Sequence, residues 1–164
     1  MELYLLRHAI AEEQSAGQPD SERRLTPGGA RKMRRVSKGM KALAMRFDLI
    51  LTSPFVREKQ TAEIAATALK LEKRLEVEPA LAGDRSPREL IAALKKHKSS
   101  ERVLLVGHEP YLSRLISMLV SGNERSAIAM KKAGICKLTT GKLKYGRCAT
   151  LNWLLEPNQL AQLG

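Results

Sequence analysis

The chain has 164 residues, a formal net charge of +12 and 43% hydrophobic residues. That is enough apolar material for an ordinary core in a single domain spanning 1–164, and it excludes a disordered chain or a scaffold that needs disulfide staples. Aromatic residues make up only 4%, and no basic stretch is interleaved with them, so a stacking platform for single-stranded nucleic acid is not expected.

Residues 2–7 read as a buried strand. The run Leu3-Tyr4-Leu5-Leu6 stops at Arg7-His8, which places an imidazole and a guanidinium at a strand tip, where open α/β sheets bind ligands. Residues 10–24 are polar, with Gly17-Gln18-Pro19-Asp20 as turn chemistry, and read as a loop. Thr26 and Pro27 then open a helix as N-cap and first residue. Met33, Val36, Met40, Leu43 and Phe47 form its core stripe, with Arg34, Arg35, Lys38 and Lys41 off that face. Residues 48–53 form a second strand. A helix over about 55–69 follows, with Ser53 as N-cap and Pro54 at the first helical position. Its inward residues are read as Ile64, Ala65, Ala68 and Leu69, and Arg57 falls in its first turn, where backbone N–H groups favour an anion.

A short strand near 75–78 precedes Ser86-Pro87-Arg88-Glu89, a capping box that starts a helix running to about Lys98. The apolar run 102–107 is a third long strand. It ends at Gly107-His108, with Gly107 leaving room for close backbone approach. Pro110 starts a helix with Leu112, Leu115, Ile116 and Leu119 on one face. Residues 134–140 and 147–154 form a hairpin turning around Gly141 to Gly146. This order predicts a three-layer α/β/α sandwich whose sheet is mostly parallel, with an antiparallel edge at the C-terminus.

Three strands thus each deliver a phosphate-competent residue: His8 with Arg7, Arg57, and His108. A neutral imidazole is a nucleophile and a guanidinium holds phosphate oxygens in a planar fork, so the set points to phosphoryl transfer through a phosphohistidine. Taken singly, His8 reads as a satisfied strand-end histidine, Arg57 as a surface arginine and His108 as a helix cap; their joint placement carries the functional reading.

Cys136 and Cys148 fall in the predicted hairpin and could be neighbours across it, though a cytosolic setting favours reduced thiols. No signal peptide or membrane-spanning run is apparent, so a cytoplasmic location is expected. The only histidines are His8, His97 and His108, without metal-ligand spacing, so neither a metal nor a cofactor is expected. The positive charge suggests an acidic partner, but it is dispersed over 31–35, 95–98, 131–132 and 137–147, so nucleic acid is not expected to be the main one.

The combination resembles the histidine phosphatase superfamily, also called phosphoglycerate-mutase-like. It comprises a strand ending in Arg7-His8, then Leu25-Thr26-Pro27-Gly28-Gly29, Ser53-Pro54-x-x-Arg57-x-x-Gln60-Thr61-Ala62, and Val106-Gly107-His108. The small size, Arg7-His8-Ala9 and the Ser-Pro-Phe-x-Arg run look most like the phosphohistidine phosphatases of the SixA type. The resemblance implies that His8 is the transiently phosphorylated nucleophile, that Arg7 and Arg57 clamp phosphate, and that His108 completes the pocket. The family's larger phosphatases and mutases carry a glutamate proton donor in an inserted segment. Here the nearest positional candidate is Asp84, with Glu12, Glu13 and Glu109 behind it.

An alkoxide leaving group needs a proton as it departs, whereas an imidazole leaves neutral with a pKa of about 6.5. The weak acid signal therefore favours a phosphohistidine-bearing phosphotransfer or histidine-kinase domain as substrate, and the positive charge favours an acidic one. A phosphatase of a small phosphometabolite and a non-catalytic basic binding module are the alternatives. Arg7 and Arg57 are expected to depress the His8 pKa and keep it neutral for attack.

Overall fold

Leu3, Tyr4, Leu5 and Leu6 are all buried, as a strand covered on both faces requires. The computed structural model describes residues 1–83 and 85–164. Six strands, β1 (Glu2–Arg7), β2 (Leu49–Thr52), β3 (Leu75–Val77), β4 (Arg102–Gly107), β5 (Ile135–Thr140) and β6 (Ala149–Leu155), form one sheet in the order β3-β2-β4-β1-β5-β6. Strands β1 to β4 are mutually parallel; β5 pairs antiparallel with β1, and β6 antiparallel with β5.

Strand alternation divides the core in two. Leu3 and Leu5 of β1, with Val103 and Leu105 of β4, pack under α3 (Pro87–Leu94) and α4 (Tyr111–Ser121). Tyr4, Leu6, Leu104 and Val106 face the other way, against Met33, Val36 and Met40 of α1 (Pro27–Ala42), Ala62, Ala65 and Ala66 of α2 (Val56–Leu69), and Leu160 of α5 (Pro157–Ala161). The three-layer sandwich with an antiparallel C-terminal edge is the architecture expected from the sequence. No helix among the described residues is long and apolar enough to cross a membrane.

Local differences from the sequence expectation have identifiable causes. Ser53 does not cap α2: its hydroxyl accepts from the Phe55 N–H at 3.4 Å, and the helix begins at Val56 behind an extended Phe55. The extended Phe55 lays its ring beside His108 and Arg57. The buried stripe of α2 is Arg57, Glu58, Thr61, Ala62, Ala65 and Ala66, with Ile64, Ala68 and Leu69 only partly buried, because the small alanines set the closest approach to the sheet. Leu43 ends α1 and is exposed instead of extending its core stripe. Helix α3 stops at Leu94, well short of Lys98: the Lys96 and His97 N–H groups bond three residues back, and the cationic Lys95-Lys96-His97-Lys98 run disfavours another turn. Ser86 caps α3 through the Arg88 N–H, while Glu89 pairs with Arg85 at 3.6 Å and does not close a capping box. Cys136 pairs with Leu154 in the hairpin, and Cys148 lies beyond the opposite end of that ladder, so the two cysteines are not neighbours.

The first helical turn of α1 rests on the segment that follows His8. Thr26 caps the helix through the Gly29 N–H at 2.9 Å, and its own N–H donates to Ile10 O at 3.0 Å. A Cβ at Gly29 would stand 2.1 Å from Ile10 O, which explains why Leu25-Thr26-x-x-Gly29 must end in glycine. Gly29→Ala is expected to lower stability by about 1–3 kcal/mol through this backbone clash, despite a helix-propensity gain of about 1 kcal/mol. A urea unfolding curve checks this; an unchanged or higher midpoint would show that the Ile10 segment yields without cost.

Candidate active site

Parallel strands β2, β4 and β1 are adjacent, so their C-terminal ends open on one edge. The ladder continues past the strands: the His8 N–H donates to Gly107 O at 2.9 Å and the Ser53 N–H to Val106 O at 3.0 Å. His8, His108 and the start of α2 are therefore held in register by backbone bonds.

His8 is buried, and its Nδ1 lies 2.7 Å from Ala9 O. A carbonyl only accepts, so the ring proton sits on Nδ1 and the lone pair on Nε2. That lone pair faces Arg57, whose Nε donates to it at a long 3.3 Å. Thr61 anchors the arrangement: its hydroxyl accepts from the Ala9 N–H at 3.1 Å and donates to Arg57 O at 2.7 Å. Gln60 accepts from the Leu25 N–H at 2.8 Å, which ties α2 to the entry of α1. Burial, more than any charge, pushes the His8 pKa down to about 4; Arg57 and Arg7 add to this and Glu58 opposes it. The direction expected from the sequence is right, but its main cause is desolvation.

Arg57 is 4% exposed and has a partner for every guanidinium nitrogen. Nη1 donates to Asp20 O at 2.7 Å, Nη2 to Asp20 Oδ2 at 2.9 Å, and Nε lies 3.2 Å from Glu58 Oε1 as well as facing His8. Asp20 also receives Arg23 at 2.9 Å. Partial burial pushes the Asp20 pKa up, but the hydrogen bonds from Arg23 and Arg57 outweigh this and hold it below the usual carboxylate value. Arg7 donates from Nη1 to Met130 O at 2.6 Å, and its buried Nε has no hydrogen-bond partner among the described residues. His108 lies beside the Phe55 ring, stacked at 5.8 Å between centroids, with Nδ1 at 3.5 Å from Glu58 Oε1. A Cβ on Gly83 would come within 2.3 Å of His108 Nε2, so that loop passes over the ring only as glycine.

The structure thus brings together Arg7, His8, Arg57 and His108. Asp84 lies outside the described residues. Glu12 and Glu13 are exposed on the loop, and Glu109 accepts from the Ser113 N–H at 3.1 Å at the start of α4. The sequence reading missed Asp20 and Glu58. Asp20 gives no local signal beyond turn chemistry. Glu58 was detectable, since it lies three and four residues before the buried Thr61 and Ala62 and shares their helix face. A separate surface depression lined by Lys41, Phe47, Asp48, Arg74 and Arg102 lies at the opposite edge of the sheet, where β2 and β4 begin, and is remote from this chemistry.

Residues 3–86 match the model of the histidine phosphatase superfamily (branch 1). An uncharacterized protein of Picosynechococcus is 35% identical over 143 residues, covering 86% of each chain. Phosphohistidine phosphatase SixA of Escherichia coli is 28% identical over 165 residues, covering 98% of this chain and 96% of SixA. The structure of the protein histidine phosphatase SixA complexed with tungstate superposes with a TM-score of 0.84 at 27% identity, covering 98% of this chain and 99% of that one. The alpha-ribazole phosphatase of Shigella flexneri shares the fold, with a TM-score of 0.75 at 19% identity, over 96% of this chain and 97% of that one.

Imidazole NMR is expected to place the His8 titration near pH 4; a midpoint close to the ordinary value of about 6.5 would contradict the burial argument. The depressed value has a stability consequence. The unfolded chain binds the His8 proton more readily, so stability falls as pH drops from about 6.5 to about 4, by up to about 3 kcal/mol, and is unaffected by His8 above that window. His8→Gln is expected to flatten that acid-side slope in denaturation curves recorded against pH.

Proposed function

The chain belongs to the histidine phosphatase superfamily, and on that footing we propose that it removes the phosphoryl group from phosphohistidine on an acidic phosphotransfer or histidine-kinase domain. Phosphatase chemistry rests on the family and on full-length similarity to SixA. The finer assignment of substrate is carried by the state of the site's carboxylates. Asp20 is held ionised by two arginines, and Glu58 is buried against Arg57 and His108. Held ionised in this way, Asp20 is not free to protonate an alkoxide as it leaves. A substrate imidazole makes no such demand, because its neutral form is stable near neutral pH.

In the first step His8 Nε2 forms a bond to phosphorus as the phosphorus–nitrogen bond to the substrate imidazole breaks in line. The leaving imidazole, already protonated on its other ring nitrogen, keeps the electron pair and departs neutral, so the step calls for no further proton. In the second step water attacks phospho-His8, phosphate leaves, and His8 Nε2 regains its lone pair. Transfer between two imidazoles is nearly isoenergetic, so the protein's contribution is positioning and charge neutralisation. Arg57 Nη1 and Nη2 pass from Asp20 to phosphoryl oxygens, Arg7 Nε supplies a further donor, and His108 contacts the remaining oxygen.

The surface supports a protein partner. Helix α1 carries Arg31, Lys32, Arg34, Arg35, Lys38 and Lys41, with no acidic residue and no ion pair to these six among the described residues. Its first turn packs against Ile10, two residues after His8, so this cationic face starts beside the site. Such a face steers an acidic domain in a salt-dependent way.

The wild-type protein is expected to release phosphate rapidly from a phosphohistidine-bearing phosphotransfer protein and slowly from an aryl phosphate. His8→Ala is expected to lose roughly 10³-fold or more on both. Preference for the aryl ester would move the assignment to a small phosphometabolite, and no His8-dependent release from either would leave a binding role for the basic face. Reversing the charges of Arg34, Arg35 and Lys38 to glutamate is expected to lower kcat/KM for the protein substrate by roughly tenfold at low salt and to leave aryl phosphate turnover unchanged. Equal effects on both substrates would remove α1 from the docking surface.

A further inference from the structure

We propose that Glu58 is a positioning residue that spaces the phosphate-holding side chains Arg57 and His108 on one carboxylate oxygen. The proposal rests on reading this edge of the sheet as a phosphoryl-transfer site. Glu58 Oε1 lies 3.2 Å from Arg57 Nε and 3.5 Å from His108 Nδ1. The residue is 0% exposed, and neither carboxylate oxygen makes a hydrogen bond of good geometry among the described residues. Burying a carboxylate in this way is unfavourable unless its cationic neighbours compensate. The helix face it occupies is otherwise packed with Thr61, Ala62, Ala65 and Ala66, so a small apolar residue would suit mere packing better. The charge therefore serves its neighbours rather than the core.

Two consequences follow from the geometry. The single Nε–H of Arg57 lies between two acceptors, His8 Nε2 at 3.3 Å and Glu58 Oε1 at 3.2 Å. The N–H bonds to His8 and not to Glu58, so the carboxylate acts on the guanidinium by charge and holds it at the His8 ring from the other side. On the other side, the carboxylate turns His108 Nδ1 inward, while the Phe55 ring restrains the imidazole plane. That leaves Nε2 as the nitrogen for a phosphoryl oxygen. Orientation of a working histidine by a buried carboxylate is a general device for fixing which ring nitrogen does chemistry.

The test compares Glu58→Gln and Glu58→Ala with wild type in four readouts: thermal melting, tungstate affinity by calorimetry, kcat and KM on phosphohistidine protein and aryl phosphate, and the imidazole NMR signals of His8 and His108. Every variant that folds is expected to lose roughly 10- to 100-fold in kcat with a smaller change in KM, to bind tungstate correspondingly more weakly, and to shift both histidine signals. Either variant, folded and within about threefold of wild type in kcat and tungstate affinity, with both histidine signals unmoved, would overturn the proposal. Tungstate binding and the histidine signals do not depend on turnover. If the wild-type protein hydrolyses neither substrate yet both of these change in the variants, the positioning role stands and the phosphatase reading fails.

Discussion

A guanidinium cannot be buried alone, and Arg57 is almost wholly buried. Its three nitrogens recruit the groups that define this site: the lone pair of His8, the carboxylate of Glu58, and the carbonyl and carboxylate of Asp20. Through Glu58 the same network reaches His108. Two strand ends, one helix start and one loop are thus joined by the need to satisfy one cation. The arrangement also balances charge before any phosphate arrives, with Arg7 and Arg57 set against Asp20 and Glu58. In the proposed reaction a phosphoryl group would have to displace Asp20 from Arg57.

The backbone makes this network rigid where it must be. His8 is fixed from both sides: its N–H is tied to β4, and its Nδ1–H to the carbonyl of the next residue. Burial keeps the imidazole neutral without a dedicated base, the state the proposed attack on phosphorus requires. Residues that look like mere family markers in the sequence have specific mechanical duties. Thr61 links the α2 backbone to the residue after His8, Gln60 links it to Leu25, and Gly29 lets α1 sit directly on Ile10. All three hold α1 and α2 against the strand that carries His8.

Much of this was legible in the sequence because continuous apolar runs can only be central strands in an α/β layer fold. The tips of β1 and β4, and with them Arg7, His8 and His108, followed from where Leu3–Leu6 and Val103–Val106 stop. Arg57 was legible from its place in the first turn of α2, although the cap was not, since Phe55 is pulled out of helical geometry by aromatic contacts that periodicity does not encode. Asp20 reaches Arg57 across 37 residues of chain, and Glu58 meets His108 only once β2 and β4 are neighbours. Such pairings are consequences of topology, not of local pattern. The short α5 was also missed, since its five residues are too few to show a period and its packing on α1 supplies most of its reason to form.

In the proposed reaction His8 Nε2 accepts the phosphoryl group from another imidazole. The direct measurement is to quench the reaction with a phosphohistidine-bearing phosphotransfer protein in alkali within its first turnover, and to locate the phosphoryl group on the enzyme by peptide mapping and phosphorus NMR. A transient phosphohistidine at His8, substituted at Nε2, is expected to form and to decay as free phosphate appears. Phosphate release with no phosphorylated enzyme, or with the label at Nδ1 or on another residue, would contradict it.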